Sequence, residues 1–116
     1  MKANELRIGN LVSFKGLWTG EVSRISESGT IEIKGNKGIF DIEDFRPVQI
    51  FRDLLLKIGA EDFPDGESLS IKNRLIGYAE CRNEFYDKST SVAFKYLHQL
   101  QNLYFALTGE ELEVKL

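Results

Sequence analysis

The chain has 116 residues, enough for a self-supporting core, because a chain of this size buries roughly two-thirds of its unfolded surface. Its composition, 42% hydrophobic and 28% charged, is typical of folded proteins and excludes a disordered chain. The net charge of -3 and the lack of a basic run disfavour binding to duplex nucleic acid, although a local basic patch formed in three dimensions stays open.

Cys81 is the only cysteine, so neither an intrachain disulfide nor a cysteine-cluster zinc site can form, which fits a reducing compartment. The first ten residues, MKANELRIGN, lack the apolar core of a secretory leader. No uncharged apolar run approaches the roughly 20 residues that cross a bilayer. We therefore expect a soluble, cytoplasmic protein that does not enter membranes.

The first half of the chain predicts four short strands separated by glycine-rich turns. One strand lies at residues 11–14, and residues 21–25 and 30–34 alternate with period two around a Ser28-Gly29 turn, which indicates a hairpin. A further strand is expected at residues 39–42. Short strands at this spacing indicate a small antiparallel barrel or sandwich.

The order of the segments RIGNLV, GLWTGEV, GTIEI and FDIEDFRPV within residues 1–48 resembles that of SH3-like barrels. The resemblance implies the fold but no function, since one fold serves many functions. Trp18 has two interpretations. It closes one end of the barrel, or it is an exposed aromatic in a peptide groove or a base-stacking platform.

Residues 49–116 predict an α+β lobe packed on the barrel, with Pro47 at the boundary. A helix of about ten residues ending at Gly59 follows from apolar residues at helical spacing, and these are Ile50, Phe51, Leu54, Leu55 and Ile58. The segment GAEDFPDGE, residues 59–67, predicts a solvated turn. The alternative, a Ca²⁺ site built on Asp62, Asp65 and Glu67, lacks the EF-hand spacing and is interrupted by Pro64.

A three-stranded meander is expected at residues 68–87, with turns at Asn73-Arg74 and Arg82-Asn83. Cys81 is expected to lie buried in one of its strands, because free cysteine usually behaves as a small hydrophobic residue. After the last helix, residues 111–116 alternate and predict a terminal edge strand, through which a homodimer could form.

The last helix is predicted between hydroxyl N-caps at residues 89–91 and a C-terminal Gly109. An apolar stripe at three- and four-residue spacing predicts its core face; its members are Phe94, Leu97, Leu100, Leu103, Tyr104 and Leu107. A second, mostly polar stripe consists of His98, Gln101, Asn102 and Phe105. We expect its polar side chains to hydrogen-bond the backbone of the barrel or a loop; fully exposed, they would instead be partner-binding residues.

The segments ANELRIGNLV and YLHQLQNLYFALTGEEL resemble two signatures of a group of small, uncharacterised proteins that recur in Bacteroidetes genomes and their prophages or other mobile elements. The resemblance covers the two ends of the chain and not its middle. It implies a bacterial cytoplasmic protein of mobile-element origin, carries no known activity and assigns no functional residues.

The sequence is consistent with three functional hypotheses. The first is a non-enzymatic binding or adaptor module for a protein partner, with Trp18, His98, Gln101, Asn102 and Phe105 as candidate contacts. The second is a nucleic-acid accessory protein that uses the barrel. The third, an enzyme built on His98 and Cys81, is disfavoured because no motif supplies a catalytic partner, and no catalytic, metal or cofactor site is predicted.

Overall fold

A computed structural model describes residues 5–62, 68–72 and 74–114. The chain divides into two compact units, the first combining Met1–Gln49 with Tyr96–Leu112 and the second combining Ile50–Lys95 with Glu113–Leu116. In the described residues, ten strands form two antiparallel sheets, one in each unit, which confirms the α+β class. The division at residues 48 and 49 expected from the sequence differs from this grouping, which places the long helix with the N-terminal strands.

The first unit contains a five-stranded sheet in the order β4-β3-β2-β1-β5. Its strands are β1 (Leu11–Phe14), β2 (Trp18–Ile25), β3 (Thr30–Ile33), β4 (Phe40–Asp41) and β5 (Phe45–Pro47). A 3-10 turn joins β4 to β5, and β5 returns to pair with β1, as in an SH3-like barrel. The sequence predicts only four strands because β5 has three residues and ends in proline.

The predicted hairpin is formed by β2 and β3. Val22 pairs with Ile33, and Ile25 pairs with Ile31, but the register shifts between Val22 and Arg24. Such a bulge bends a strand and increases its twist. Strand β2 therefore pairs with β1 along its first half and with β3 along its second half.

Inward-facing apolar side chains form the core of the first unit. Its buried members are Leu6, Val12, Val22, Ile31, Ile33, Ile42 and Phe45. Burying one side chain of this kind stabilises a fold by roughly 1.5–3 kcal/mol. The alternation read from the sequence therefore corresponds to the stabilising face of the sheet.

Helix α2 (Leu97–Thr108) also belongs to the first unit. It ends as predicted at Gly109, which adopts the left-handed conformation with φ 73°. Its start differs from the prediction: the backbone of Tyr96 is extended, and the Tyr96 N–H donates to the side-chain oxygen of Gln99 at 3.1 Å. The apolar stripe is buried at Leu97 and Leu100, whereas the C-terminal part of the stripe, at Leu107, is exposed.

The hydroxyl groups predicted to cap α2 have another role in the second unit. Ser89 and Thr90 donate their hydroxyl protons to Oδ2 of the buried Asp87, at 2.9 and 2.8 Å. Arg74 donates to the same oxygen at 3.0 Å. These bonds close a tight loop after residue 87, so the N-cap prediction at residues 89–91 is wrong.

The second unit contains a sheet in the order β10-β9-β8-β7-β6. Its strands are β6 (Glu61–Asp62), β7 (Leu69–Ile71), β8 (Arg74–Ala79), β9 (Glu84–Asp87) and β10 (Ala93–Phe94). The antiparallel pairs β7–β8 and β8–β9 confirm the predicted meander. Arg74 begins β8 rather than forming a turn, and Asn73 lies outside the described residues.

Two further elements of the second unit differ from the predictions. Helix α1 (Arg52–Lys57) has six residues, because the backbone of Phe51 is extended and Ile50 N–H donates to the Lys95 carbonyl at 2.9 Å. Cys81 lies in a 3-10 turn between β8 and β9 and is exposed, so the buried-strand prediction is wrong. The left-handed Asn83, with φ 50°, reverses the chain there and moves Cys81 off the sheet.

The predicted terminal strand is absent from residues 111–114, which adopt no regular structure, and Lys115 and Leu116 lie outside the described part of the chain. Leu112 is instead buried in the first unit. Both carboxylate oxygens of Glu111 accept hydrogen bonds from the Arg7 guanidinium. A segment held by these contacts does not offer an edge for pairing over residues 111 and 112.

Candidate functional site

Four aromatic rings meet where β1 turns into β2. Phe14 ends β1 and lies opposite Trp18, the first residue of β2, and it lies opposite Phe45 of β5 on its other side. Residues directly opposite in antiparallel strands share a face of the sheet. The ring of Phe40, from β4, joins these three, and we call Phe14, Trp18, Phe40 and Phe45 the aromatic cluster.

The rings of the aromatic cluster contact one another without a central gap. Phe14 stacks on Trp18 with centroids 5.0 Å apart and planes 22° apart. Phe40 packs edge-on against both, with centroids 5.7 Å from Phe14 and 6.1 Å from Trp18. Each such pair contributes about 0.5–1.5 kcal/mol beyond its buried area. The four rings thus pack on one another and leave no open aromatic site for an ammonium group between them.

Trp18 is positioned by the absence of a side chain at Gly20. A Cβ atom built on Gly20 would lie 2.6 Å from Cγ2 of Ile33 and 2.8 Å from the Trp18 ring. Both distances are far below van der Waals contact. The indole therefore covers β2 closely. Of the two interpretations of Trp18, packing against the core agrees with the one in which Trp18 closes one end of the barrel.

The aromatic cluster is only partly covered. Phe45 is buried, but Phe14, Trp18 and Phe40 are half-buried. The residues that precede two of these rings in the chain are more exposed: Leu17 retains 77% and Ile39 retains 72% of its accessible surface. We call Phe14, Leu17, Trp18, Ile39 and Phe40 the apolar patch.

Charged groups border the apolar patch. The Lys15 ammonium lies 3.9 Å from Oδ1 of Asp44 and 5.3 Å from the centroid of the Phe14 ring. Asp41 and Glu43, in the same short segment as Asp44, form no ion pair with a described residue. Asp41 uses Oδ1 to accept a hydrogen bond from the backbone N–H of Glu43 at 2.9 Å.

The second stripe of α2 is engaged by the N-terminal residues, as predicted for its amides. Gln101 accepts from the backbone N–H of Leu11 at 2.9 Å and donates to the carbonyl of Gly9 at 3.2 Å. Asn102 donates to the carbonyl of Glu5 at 3.2 Å. These bonds replace water at backbone groups that would otherwise be unpaired, so this face of α2 is structural.

Arg7 and Asn10 complete the network, and the sequence reasoning missed both. Oδ1 of Asn102 accepts from Nε of Arg7 at 3.2 Å and from Nδ2 of Asn10 at 2.8 Å. The Arg7 guanidinium carbon also lies 4.2 Å from the centroid of the Phe105 ring. The sequence shows only that polar residues interrupt the N-terminal segment and α2, and this pattern does not reveal which of them pair. Phe105 is therefore already covered in part by a cation from its own chain.

His98 is buried in the first unit with 2% of its surface exposed. Its Nδ1 atom has no hydrogen-bond partner among the described residues, and its ring stacks on that of Tyr96 with centroids 6.0 Å apart. Burial lowers the pKa of His98, which favours the neutral imidazole. A buried ring without an orienting partner lacks the geometry of a general base.

The remaining candidates form no chemical centre in the described residues. No group of three or more His, Cys, Asp or Glu side chains there could hold a metal ion. Asp62 forms an ion pair with Arg52, whereas Asp65 and Glu67 of the rejected cation site lie outside the described residues. Cys81 is exposed and belongs to the second unit.

Comparisons with protein-family models, with curated proteins and with solved structures found no match to this chain. The resemblance to the Bacteroidetes proteins therefore stays a prediction. Among the helices in the described ranges, none combines the length and the apolar character needed to span a membrane.

Proposed function

We propose that the protein is a non-enzymatic binding module that holds a protein partner on the apolar patch. The observation that carries the proposal is the exposure of Leu17 and Ile39, the residues that directly precede two of three half-buried aromatic rings in the chain. Exposed apolar side chains that occur together mark interaction surfaces, because covering each one stabilises a complex. Aromatic residues are also the side chains that most often dominate binding energy.

The polar stripe of α2 is not available as the partner site, which favours the apolar patch. Gln101 and Asn102 use their side chains on Leu11, Gly9 and Glu5, so they are not free to contact a partner. His98 is buried. Of the contacts expected from the sequence, Trp18 is the one that belongs to an exposed apolar surface. Phe105 is also exposed at 39%, but the Arg7 guanidinium lies over its ring.

Nucleic-acid binding is the second candidate, because a half-buried Trp18 on an SH3-like barrel could stack on a base. The charges of the first unit argue against it. Lys15, Arg24 and Lys34 lie 3.9, 3.4 and 3.7 Å from carboxylates. Paired in this way, these cations offer little net charge to phosphates. Three further proposals rest on the sequence alone: a cytoplasmic location, a mobile-element origin and a homodimer.

The test uses a random peptide display library selected on the full-length protein. We expect enriched peptides whose affinity falls at least ten-fold for the double variant Leu17→Ser, Ile39→Ser, because two exposed anchors worth about 1.4 kcal/mol or more together are lost. Serine leaves the net charge unchanged. Ile8→Ser is the matched control, since Ile8 lies in the same unit and is 59% exposed.

Trp18 fluorescence would report whether each variant keeps its fold. Peptides that bind the wild-type protein and the double variant equally would contradict the proposal. Tight binding of a single-stranded oligonucleotide, lost in the same double variant, would favour the second candidate instead.

A further inference from the structure

The side chain of Arg7 is held in one orientation by three residues of α2. Its Nε donates to Oδ1 of Asn102 at 3.2 Å, and its Nη2 donates to the carbonyl of Gln101 at 3.4 Å. The guanidinium lies over the face of the Phe105 ring, with its carbon 4.2 Å from the ring centroid. Because these partners belong to the helix, the orientation of the guanidinium does not depend on the segment that follows α2.

The outer nitrogens of Arg7 bind a carboxylate. Nη1 and Nη2 donate to different oxygens of Glu111, the second at 3.1 Å. Two parallel bonds of this kind are the geometry by which arginine recognises carboxylates. The hydrogen bond from Arg7 is also the main cause that holds the pKa of Glu111 below its ordinary value. We call Arg7, Asn102 and Phe105 the Arg7 site, a guanidinium already oriented for a carboxylate.

The segment that supplies this carboxylate has few other contacts. Residues 111–114 adopt no regular structure, and none of them shares a backbone hydrogen bond with another described residue. The side chain of Glu111 is 51% exposed, and the second anchor of the segment is Leu112, which is 3% exposed. Gly109, in the left-handed conformation, separates the segment from α2. A segment fixed by one exposed ion pair and one apolar side chain belongs to the parts of a fold that open most readily.

From these contacts we infer that the Arg7 site binds an acidic segment of another polypeptide, and that Glu111 and Leu112 occupy this site as an autoinhibitory contact. The partner segment presents an acidic residue followed by leucine. Its carboxylate replaces that of Glu111 on Arg7, and its leucine replaces Leu112. The chain's own segment has a high effective concentration, so a partner binds tightly only when that segment is released. The inference goes beyond the proposed function, because the Arg7 site shares no residue with the apolar patch.

A labelled peptide of sequence GEELEV, residues 109–114, tests the inference by fluorescence anisotropy on the full-length protein. We expect it to bind the Glu111→Gln variant about two- to five-fold more tightly than the wild type, because the competing ion pair is lost. Glu110→Gln is the matched control: it removes the neighbouring exposed carboxylate and should leave the affinity at the wild-type value. Adding Arg7→Lys to Glu111→Gln should weaken binding about two- to five-fold, because lysine keeps the charge but loses the two-bond geometry.

The peptide GEQLEV, which lacks the carboxylate equivalent to Glu111, should also bind the Glu111→Gln variant more weakly than GEELEV. Equal binding of the two peptides would overturn the inference. Equal affinity of GEELEV for the wild type and the variant, or no binding to the variant at about 1 mM peptide, would make the Arg7–Glu111 pair a structural contact only. Leu17→Ser, Ile39→Ser in the Glu111→Gln background should leave the affinity unchanged; its loss would assign the peptide to the apolar patch and refute the Arg7 site.

Discussion

Replacing Gln101 with leucine tests whether the polar stripe of α2 stabilises the first unit. Gln101 is 3% exposed, and leucine is close to it in size. The substitution leaves the N–H of Leu11 and the carbonyl of Gly9 without the partners that lie 2.9 and 3.2 Å away. Each unpaired buried group costs about 1–3 kcal/mol, while the leucine side chain recovers part of this through burial. We expect a net loss of about 2–4 kcal/mol, a large share of the roughly 5–15 kcal/mol typical of a domain.

Urea unfolding followed by fluorescence measures this loss in the correct unit, because Trp18 is the only tryptophan and lies in the first unit. Gln99→Leu is the matched control on the same helix. Gln99 is exposed, so water can replace the hydrogen bond that it accepts from the Tyr96 N–H, and its replacement should cost about 0.5–1 kcal/mol. If Gln101→Leu costs less than about 0.5 kcal/mol, the reasoning about buried amides is refuted.

Three further changes have defined expectations. Because burial lowers the pKa of His98, the unfolded chain binds a proton more readily than the folded chain. The free energy of unfolding should therefore fall below about pH 6.5, by at most about 1.4 kcal/mol per pH unit. His98→Leu should flatten this slope in urea titrations from pH 5 to 8. Asp87→Ala leaves the donors of the 87–91 loop unpaired and should cost about 2–4 kcal/mol by calorimetry; a cost below about 1 kcal/mol would contradict this role of Asp87. Burial raises the pKa of Asp87, but its hydrogen bonds outweigh burial and leave the pKa below its ordinary value of 3.8. The stability that the Asp87 carboxylate contributes should therefore be complete above about pH 3.8 and be lost as the pH falls further. Gly20→Ala should destabilise the barrel by about 1–3 kcal/mol and shift the Trp18 emission, because the added methyl group meets Ile33 and the indole; an unchanged spectrum would contradict the described packing.

Strands with strict alternation were predictable because their side chains have one buried and one exposed face. In β3, Ile31 and Ile33 are buried while Thr30 and Glu32 are half-buried, and this period is visible in the sequence alone. The C-terminal end of α2 was equally predictable, because Gly109 adopts a conformation that few other residues tolerate. Local chemistry decides both features, so neighbouring residues contain the necessary information.

The start of α2 and the position of Cys81 could not be read in the same way. The hydroxyls at residues 89 and 90 are good helix caps, but a buried Asp87 supplies a stronger acceptor for them. The apolar patch was also hidden. Phe14 and Phe40 have the strand pattern expected of core residues, and only the structure shows that both stay half-buried and that Leu17 and Ile39 are exposed. Long-range pairing and exposure are not encoded in a local pattern.

The network around Asn102 has a consequence for how α2 is placed on the first unit. Apolar side chains such as Leu97 and Leu100 pack without directional preference, so they would tolerate a shifted helix. The Asn102 oxygen accepts from both Arg7 and Asn10, and Asn10 is completely buried. A shift by one residue would leave these donors unpaired in a low-dielectric interior, at a cost of about 1–3 kcal/mol for each. The hydrogen bonds therefore select one register among several that the apolar stripe would allow. They also occupy the polar face of α2, which is why the partner site is proposed on the strands of the first unit and not on this helix face.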